Sequence, residues 1–494
     1  MRAGGNAADA AIAANAVLAV TTQHMCGLGG DLFALIHTGD RTPLALNASG
    51  RAGSGADPDR LIDAGLQGVP HTGDIAAVTV PGCVDGWVAL HSRCGELDLN
   101  AILAPAIDLA RHGFGASALL AASIPAIASV VGADDFVRRP VRAGSIITRP
   151  AIAEILEEIA RDGRAGFYEG RFGDALVALG DGEYVSDDLV SPNSDWVDPL
   201  HVDIWGHRVW TTPPNSQGYL ALASSALIAN ADTNSDPADS AWAHLGIEMN
   251  RISAKDRLDV LSEHADGEAL LAPDRLADHA AMFDPGRRAT VRHNTRTGDT
   301  IYLCAVDKSG MGVSLIQSNA SGWGAHLVAG DTGVFLHSRG IGFNLTEDHP
   351  ARYAPRRRPP HTLSPTLVTD EAGGLRALVG TMGGDAQPQI VSQLLTRLLA
   401  SGESPGTAIS AGRWALEAPA PNGFNTWEQP DAAVVTLEGH AADWGDGLQR
   451  RGHEIKRLAP FSSSFGHAHI IDCVGETLAG AADPRARSGS AAGY

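Results

Sequence analysis

Hydrophobic and polar positions change period along this chain, and the changes divide it into three regions. Asn6 stands where a cap opens a helix over residues 7–20, an alanine-rich amphipathic stretch. The turn CGLGGD (26–31) follows it. Two apolar runs come next, LFALIH (32–37) and PLALNA (43–48), and the polar TGDRT between them predicts a β-hairpin. From 84 to about 282 the spacing is mostly helical, with loops expected at 133–150, 181–200 and 230–240. After 298 the period is that of strands, predicted at 300–306, 312–318, 333–337, 364–369 and 375–381; helices return near 388–416 and 440–451. Strand-rich ends around a helical middle bury most simply as one layered α/β body in which the first hairpin joins the later strands. No long linker, repeat or low-complexity tract divides the 494 residues.

Charge and cysteine usage narrow the class. With 37 Lys plus Arg against 57 Asp plus Glu, the formal charge of -20 argues against nucleic acid or anionic membranes as partners. Cys26, Cys83, Cys94, Cys304 and Cys473 are odd in number, scattered and never spaced as CxxC, so neither a disulfide framework nor a zinc site is indicated. The 19 histidines show no HExxH or similar metal spacing, and CGLGGD lacks the GxGxxG spacing of a dinucleotide site, so no metal and no cofactor are expected. No leader-like apolar core is visible at the start. The most apolar stretch, 118–132, is short and interrupted by Ser123, Pro125 and Ser129, so no membrane span is expected and the cytoplasm is the expected location. RYAPRRRPPH (352–361) reads as a proline-stiffened loop on so acidic a chain.

The chemistry centres on GDTIYLCAVDKSGMGVSLIQS (298–318), where an apolar strand starts on Thr300 directly after Gly298-Asp299. A chain cut between Asp299 and Thr300 would carry a hydroxyl and a free α-amine on one residue. The hydroxyl is a weak nucleophile, and the amine is one of the few groups near enough to take its proton. A strand beginning after a turn accounts for the same pattern. In GTMGGD (380–385), Gly383 and Gly384 can bring two backbone N–H groups to a developing oxyanion, or simply form a tight turn with positive φ. Arg51, in NASGRAG, suits a bidentate carboxylate contact or a solvated surface position. Ser318 and Thr362 offer hydroxyls to orient the Thr300 amine or bind substrate. GESPG (402–406) matches the serine-hydrolase elbow around Ser404, yet helix-like sequence precedes it and Pro405 follows, which suits a helix-turn-helix connection better.

In order along the chain, GGNAADAAIAANAVL (from residue 4), GLGGDLFAL (27–35), the Arg51 segment, VPGCVDGW (80–87), GFYEG (166–170), PPNSQGYLAL (213–222), the Thr300 run, MGGD (from 382) and GAADPRARSGSAAGY at the end resemble the γ-glutamyltransferase family of N-terminal-nucleophile hydrolases. The resemblance covers essentially the whole chain. It implies an α+β fold, a four-layer αββα sandwich, with Thr300 opening a central strand and the C-terminal tail part of the folded body. It also implies self-cleavage between Asp299 and Thr300 into a large portion, 1–299, and a small portion, 300–494, interleaved as one structural domain. Thr300 would be the nucleophile and its α-amine the base, with Gly383 and Gly384 as the oxyanion hole. Arg51 would hold the substrate carboxylate, His361 and Thr362 would occupy the places of the family's paired serines, and Ser318 that of a second threonine supporting the nucleophile. A small-molecule γ-glutamyl amide of glutathione type would acylate Thr300, and water or an amino acid would release the acyl group.

Three positions depart from the family's pattern. Ala320 stands where typical members have asparagine, and Arg339 and Gly342 replace the glutamine and aspartate that hold the γ-glutamyl α-amine. Arg339 would repel an ammonium and attract a second carboxylate. GDTIY, HSRGIGF and MGGDAQPQ resemble a branch with oxamate amidohydrolase and γ-glutamyltransferase-like proteins, cephalosporin acylases also being relatives, so an amide bearing a carboxyl but no α-amine is a second expectation. An unprocessed homologue that binds a metabolite is a third. Family members also carry a strand ahead of GGNA, where this chain starts at the helix, so an exposed sheet edge is expected.

Overall fold

The computed structural model describes residues 1–39, 42–231, 236–291, 299–418, 426 and 431–493. Asp40 and Arg41 of the hairpin turn, 232–235 of the expected 230–240 loop, Gly298, Tyr494 and the Asp299 side chain lie outside the described residues. The first helix forms as its sequence predicts, over Ala7–Thr21. Asn6 accepts hydrogen bonds from the Ala8 and Asp9 backbone amides, and the Asp9 side chain accepts from the Asn6 amide, so the first orphan donors of the helix are satisfied. Its first amide, on Ala7, also donates to Asp307 Oδ2 at 2.9 Å, tying the helix to a hairpin 300 residues further on.

Two sheets stack face to face. The first runs Asp195–Val197, Leu44–Ala48, Asp31–His37, Gly312–Ala320 and Asp299–Val306, antiparallel throughout. The second runs Thr477–Ala482, Ala468–Val474, Leu375–Thr381, Thr366–Asp370, His207–Thr211 and Leu200–Ile204, also antiparallel. Strand alternation sorts the side chains into layers. Leu32, Ala34 and Ile36 face the helices Ala7–Thr21, Cys83–Cys94, Leu99–His112 and Pro150–Asp162, while Leu35 faces inward with Leu367, Leu378 and Trp210 of the second sheet. Val368, Ala377 and Val379 face outward onto Tyr219–Ala229, Ser240–Ser253 and Gln387–Leu395. Burial on both faces explains why LFALI is apolar at every position. The result is the four-layer αββα sandwich of an α+β fold, and the first hairpin pairs with the later strands as expected.

Several local expectations are corrected. Residues 200–211 form a hairpin, Leu200–Ile204 and His207–Thr211, inside the stretch read as helix and loop; Trp205 and Gly206 make its two-residue turn with φ of 51° and 73°. Residues 333–337 form no strand. Phe335 and Leu336 make only single bridges, to Val328 and Gly29. Of the helices expected near 388–416, the turn at GESPG falls between the helix ending at Ala400 and Pro405–Ser410 as expected, but the end of the stretch is the strand Trp414–Glu417 of a separate three-stranded sheet with Val434–Glu438 and Ile455–Leu458. The helix expected at 440–451 is confined to Gly445–Arg450. The strand bearing Thr300 is the outermost of its sheet, pairing among the described residues with Gly312–Ala320 alone, so it is an edge and not a central strand.

Candidate active site

Pairing between Asp299–Val306 and Gly312–Ala320 is regular from Ile301 onward, but Asp299 lies opposite Ala320 and Ile301 opposite Gln317. One residue on the first strand thus faces two on the second. This bulge sets Thr300 beside Ser318. Thr300 is fully buried, and its Oγ1–H donates to Ser318 Oγ at 3.1 Å while Gln387 Nε2 approaches Oγ1 at 3.5 Å. Ser318 Oγ also accepts from the Ala320 amide at 2.8 Å and from Arg339 Nη2 at 3.3 Å, and Arg339 Nη1 donates to Thr362 Oγ1 at 3.2 Å. Thr300, Ser318, Arg339 and Thr362 therefore form one connected buried network, holding four of the residues singled out in the sequence.

The glycine pair lies at the end of Leu375–Thr381. Gly383 and Gly384 have φ of 142° and 55°, which a side chain would strain, and neither amide N–H has a protein acceptor among the described residues. Gln217 fixes the turn: its Nε2 donates to the Gly384 carbonyl at 3.0 Å and to the Thr362 carbonyl at 3.1 Å. Gln387 Oε1 accepts from the Ser364 amide at 3.2 Å, joining the same two segments. Neither glutamine was recognised from sequence, because each acts through contacts remote in the chain.

Arg339 carries a buried charge without a direct counter-ion. No carboxylate lies within ion-pair distance of it among the described residues, its Nε has no hydrogen-bond partner, and burial brings its pKa down to about 10, leaving it a cation at neutral pH. Gly342 explains the missing aspartate: a Cβ there would stand 2.6 Å from the Pro360 carbonyl oxygen and 3.2 Å from Pro359, so this turn has no room for a side chain unless the prolines shift. Ala320 holds φ of 68°, a left-handed conformation that asparagine tolerates better. Directly after the glycine pair, Asp385 is buried, with Arg257 Nη2 3.7 Å from Oδ1. Burial pushes Asp385 up to about 6, against the pull of Arg257, Arg339 and the Thr426 amide.

His361 is turned away from this network. Its Nε2–H donates to Asp31 Oδ2 at 3.1 Å and its Nδ1 accepts from the Leu363 amide at 3.2 Å, so both ring nitrogens are occupied by protein groups. Asp31, also 3.4 Å from His337 Nδ1, accepts from the Gly50 and Gly82 amides. Burial pushes the Asp31 carboxyl up, but His337 and His361 pull it down further, and it ends well below the usual carboxylate range. Burial, reinforced by Arg339, holds His361 down at about 3 and neutral. Arg51 is engaged elsewhere: its guanidinium reaches Glu263 at 3.1 Å and Asp195 at 3.4 Å, its side chain is 35% exposed, and no contact with the Thr300 network is observed among the described residues. The basic run at 352–361 is likewise paired, Arg356 with Asp188, Arg357 with Glu263 and Arg358 with Asp195. Ser404 Oγ accepts from the Thr407 amide as the cap of Pro405–Ser410, which accounts for GESPG.

One cluster has ligand-type residues that the sequence spacing did not reveal. His244, Glu248 and His453 bring ring nitrogens and a carboxylate together, but Glu248 is paired with Arg251 at 2.6 Å and His453 lies among Arg251, Arg288 and Arg451. So cationic a setting disfavours a metal ion.

Comparison with known proteins decides the family. The sequence pattern described as Gamma-glutamyltranspeptidase matches residues 1–494. The chain belongs to the γ-glutamyltranspeptidase family. It is 35% identical to the glutathione hydrolase-like YwrD proenzyme of Bacillus subtilis, over 98% of this chain and 93% of that protein, and 33% identical to the oxamate amidohydrolase proenzyme of Klebsiella pneumoniae, over 100% and 95%. Among solved structures, the cephalosporin acylase from Bacillus halodurans superposes with a TM-score of 0.88 at 29% identity, over 98% of this chain and 91% of that one. This γ-glutamyltranspeptidase-family chain is an N-terminal-nucleophile amidohydrolase, and no helix among its described residues is long and apolar enough to cross a membrane.

Proposed function

We propose that this chain cuts itself before Thr300 and then hydrolyses a small amide whose acyl group carries a carboxylate but no α-amine. The reading rests on one observation above the others: Arg339, a buried cation in no salt bridge among the described residues, shares the Ser318 hydroxyl with Thr300. A carboxylate on the substrate would meet this charge within reach of the nucleophile, whereas an ammonium would be repelled. In self-cleavage, Thr300 Oγ attacks the Asp299 carbonyl, the C–N bond breaks to free the α-amine, and water hydrolyses the resulting ester. Chains 1–299 and 300–494 result.

In turnover, the freed amine takes the Thr300 hydroxyl proton as Oγ attacks the substrate carbonyl, and the Gly383 and Gly384 amides receive the negative charge that develops on its oxygen. The C–N bond then breaks with the proton passing to the leaving amine. Water, activated by the same α-amine, attacks the acyl-threonine ester and releases the acid. Transfer to an amino acid would replace water in that last step. Thr362 and Ser318 orient Arg339 and Thr300, and Asp31 with His361 supports the segment carrying Thr362. The five cysteines are free thiols, which fits a reducing compartment such as the cytoplasm.

A second reading, hydrolysis of a γ-glutamyl amide of glutathione type, draws on Asp385, whose buried carboxylate beside Gly384 would suit an ammonium. Glutaryl-p-nitroanilide and γ-glutamyl-p-nitroanilide differ only in the α-amine, so matched kcat/KM values separate the two. We expect the glutaryl compound to be preferred by at least tenfold; the reverse preference would establish the second reading. On a denaturing gel the purified protein should run as two chains and Thr300→Ala as one. A wild-type protein that stays in one piece and inactive would instead be a metabolite-binding homologue.

A further inference from the structure

One buried side chain touches the reacting oxygen without a part in the mechanism above. Gln387 opens the helix Gln387–Leu395, directly after the turn Gly384–Ala386 that carries an oxyanion glycine. It is fully buried, and both ends of its amide are engaged. Oε1 accepts from the Ser364 backbone amide at 3.2 Å, and Nε2 approaches Thr300 Oγ1 at 3.5 Å. A backbone N–H can only donate, so Ser364 fixes which way round the amide stands and leaves its N–H end on the nucleophile. The Thr300 hydroxyl in turn gives its own proton to Ser318 Oγ at 3.1 Å, so it meets Gln387 as an acceptor. A contact of 3.5 Å is long for a hydrogen bond to a neutral hydroxyl, and it gains most when that oxygen becomes charged.

We propose that Gln387 is a catalytic residue of ester hydrolysis, the donor that receives Thr300 Oγ as it leaves the acyl carbon. This rests on the acyl-threonine reading above. In acylation Oγ arrives as a nucleophile, its proton passes to the α-amine, and the charge that appears lies on the substrate oxygen, where the Gly383 and Gly384 amides receive it. In deacylation water attacks the ester carbon and gives a proton to the α-amine. The C–Oγ bond then breaks, its electron pair goes to Oγ, and the ammonium returns the proton to that oxygen. Until the proton arrives, Oγ carries alkoxide charge in a buried site, and a fixed N–H aimed at it lowers the barrier. Self-cleavage ends in the same step, with the Asp299 ester in place of the substrate's acyl group, so Gln387 serves both ester hydrolyses.

The mono-p-nitrophenyl ester of glutaric acid is the probe, because its activated leaving group makes acylation fast and leaves kcat to report deacylation, while kcat/KM reports acylation. After subtraction of spontaneous hydrolysis, Gln387→Met should lower kcat by roughly 10- to 100-fold and kcat/KM by less than about threefold, KM falling with kcat. Quenched in the steady state, the small chain of the variant should carry one glutaryl group by mass spectrometry. Gln387→Glu keeps an acceptor for Ser364 but has no N–H for Oγ, and its kcat should fall at least as far. Equal losses in kcat and kcat/KM, an unchanged kcat in Gln387→Met, or a wild-type kcat in Gln387→Glu would each overturn the proposal and leave Gln387 a structural tie at most. Hydrolysis of the ester with no acyl group ever found on Thr300, in wild type or variant, would overturn the acyl-threonine reading as well. Should Gln387→Met stay uncut, hydroxylamine at neutral pH should release two chains with Thr300 as the new amino terminus, since the stalled species is the ester. Resistance to hydroxylamine would place the block before the ester and overturn the role of Gln387.

Discussion

Two arginines, Arg339 and Arg51, could each be assigned a carboxylate, and their surroundings differ in every respect that matters. Arg51 is about one-third exposed and already spans Glu263 and Asp195. Arg339 is buried, donates to two hydroxyls, and meets no carboxylate among the described residues. At the solvent edge, water and two acids leave little electrostatic attraction for a further anion. In the interior, the same guanidinium has been desolvated without a salt bridge among the described residues, and a ligand carboxylate would supply one. The family resemblance points to Arg51; the geometry points to Arg339.

Breaking this contrast gives a graded series. Arg339→Met should lower kcat/KM for glutaryl-p-nitroanilide by roughly 100- to 1000-fold, about 3–4 kcal/mol for the loss of a buried charged contact, without lowering the melting temperature. A fall in melting temperature with activity retained would make Arg339 structural. Asp31→Asn should destabilise the fold by about 3 kcal/mol in denaturant titrations near neutral pH, since it removes the acid beside His337 and His361. Asp31 has a folded-state pKa below its unfolded one. Its contribution is therefore complete above about pH 4 and is lost as pH falls through the depressed value, so wild type and variant should converge in stability only in strong acid.

Arg51→Met should change kcat/KM by less than tenfold; a loss as large as that of Arg339→Met would return the carboxylate to Arg51. Smallest of all, Ser404→Ala should cost about 1 kcal/mol of stability as a lost helix cap and leave amidase activity unchanged, whereas loss of activity would revive the serine-hydrolase reading.

The parts legible in the sequence were those written in local pattern. LFALI and the apolar runs that follow Thr300 announce strands because residues on both faces are buried or half-buried. The hairpin at 200–211 was hidden because HVDI and HRVWT mix polar residues into the alternation, although Trp205-Gly206 at the turn was an available signal. Residues 333–337 misled in the opposite way, apolar because they are buried yet joined to Gly29 and Val328 by single bridges. Around the site, Thr300, Ser318, Arg339 and Thr362 were singled out and do meet. Asp31 was seen only as the end of a glycine-rich turn, since its partner His361 lies 330 residues away, and Gln217, Gln387 and Asp385 carry no local mark of their roles.

Both sheets draw strands from either side of Thr300: Asp31–His37 pairs with Gly312–Ala320 in one, and His207–Thr211 with Thr366–Asp370 in the other. Two chains produced by a cut at that point would share main-chain ladders instead of a docking face, so separating them would mean unravelling both sheets. Dilution should therefore not part them. Once denatured, however, they would have to find each other by collision, and recovery of the matured enzyme should depend on protein concentration where recovery of an uncut Thr300→Ala chain does not.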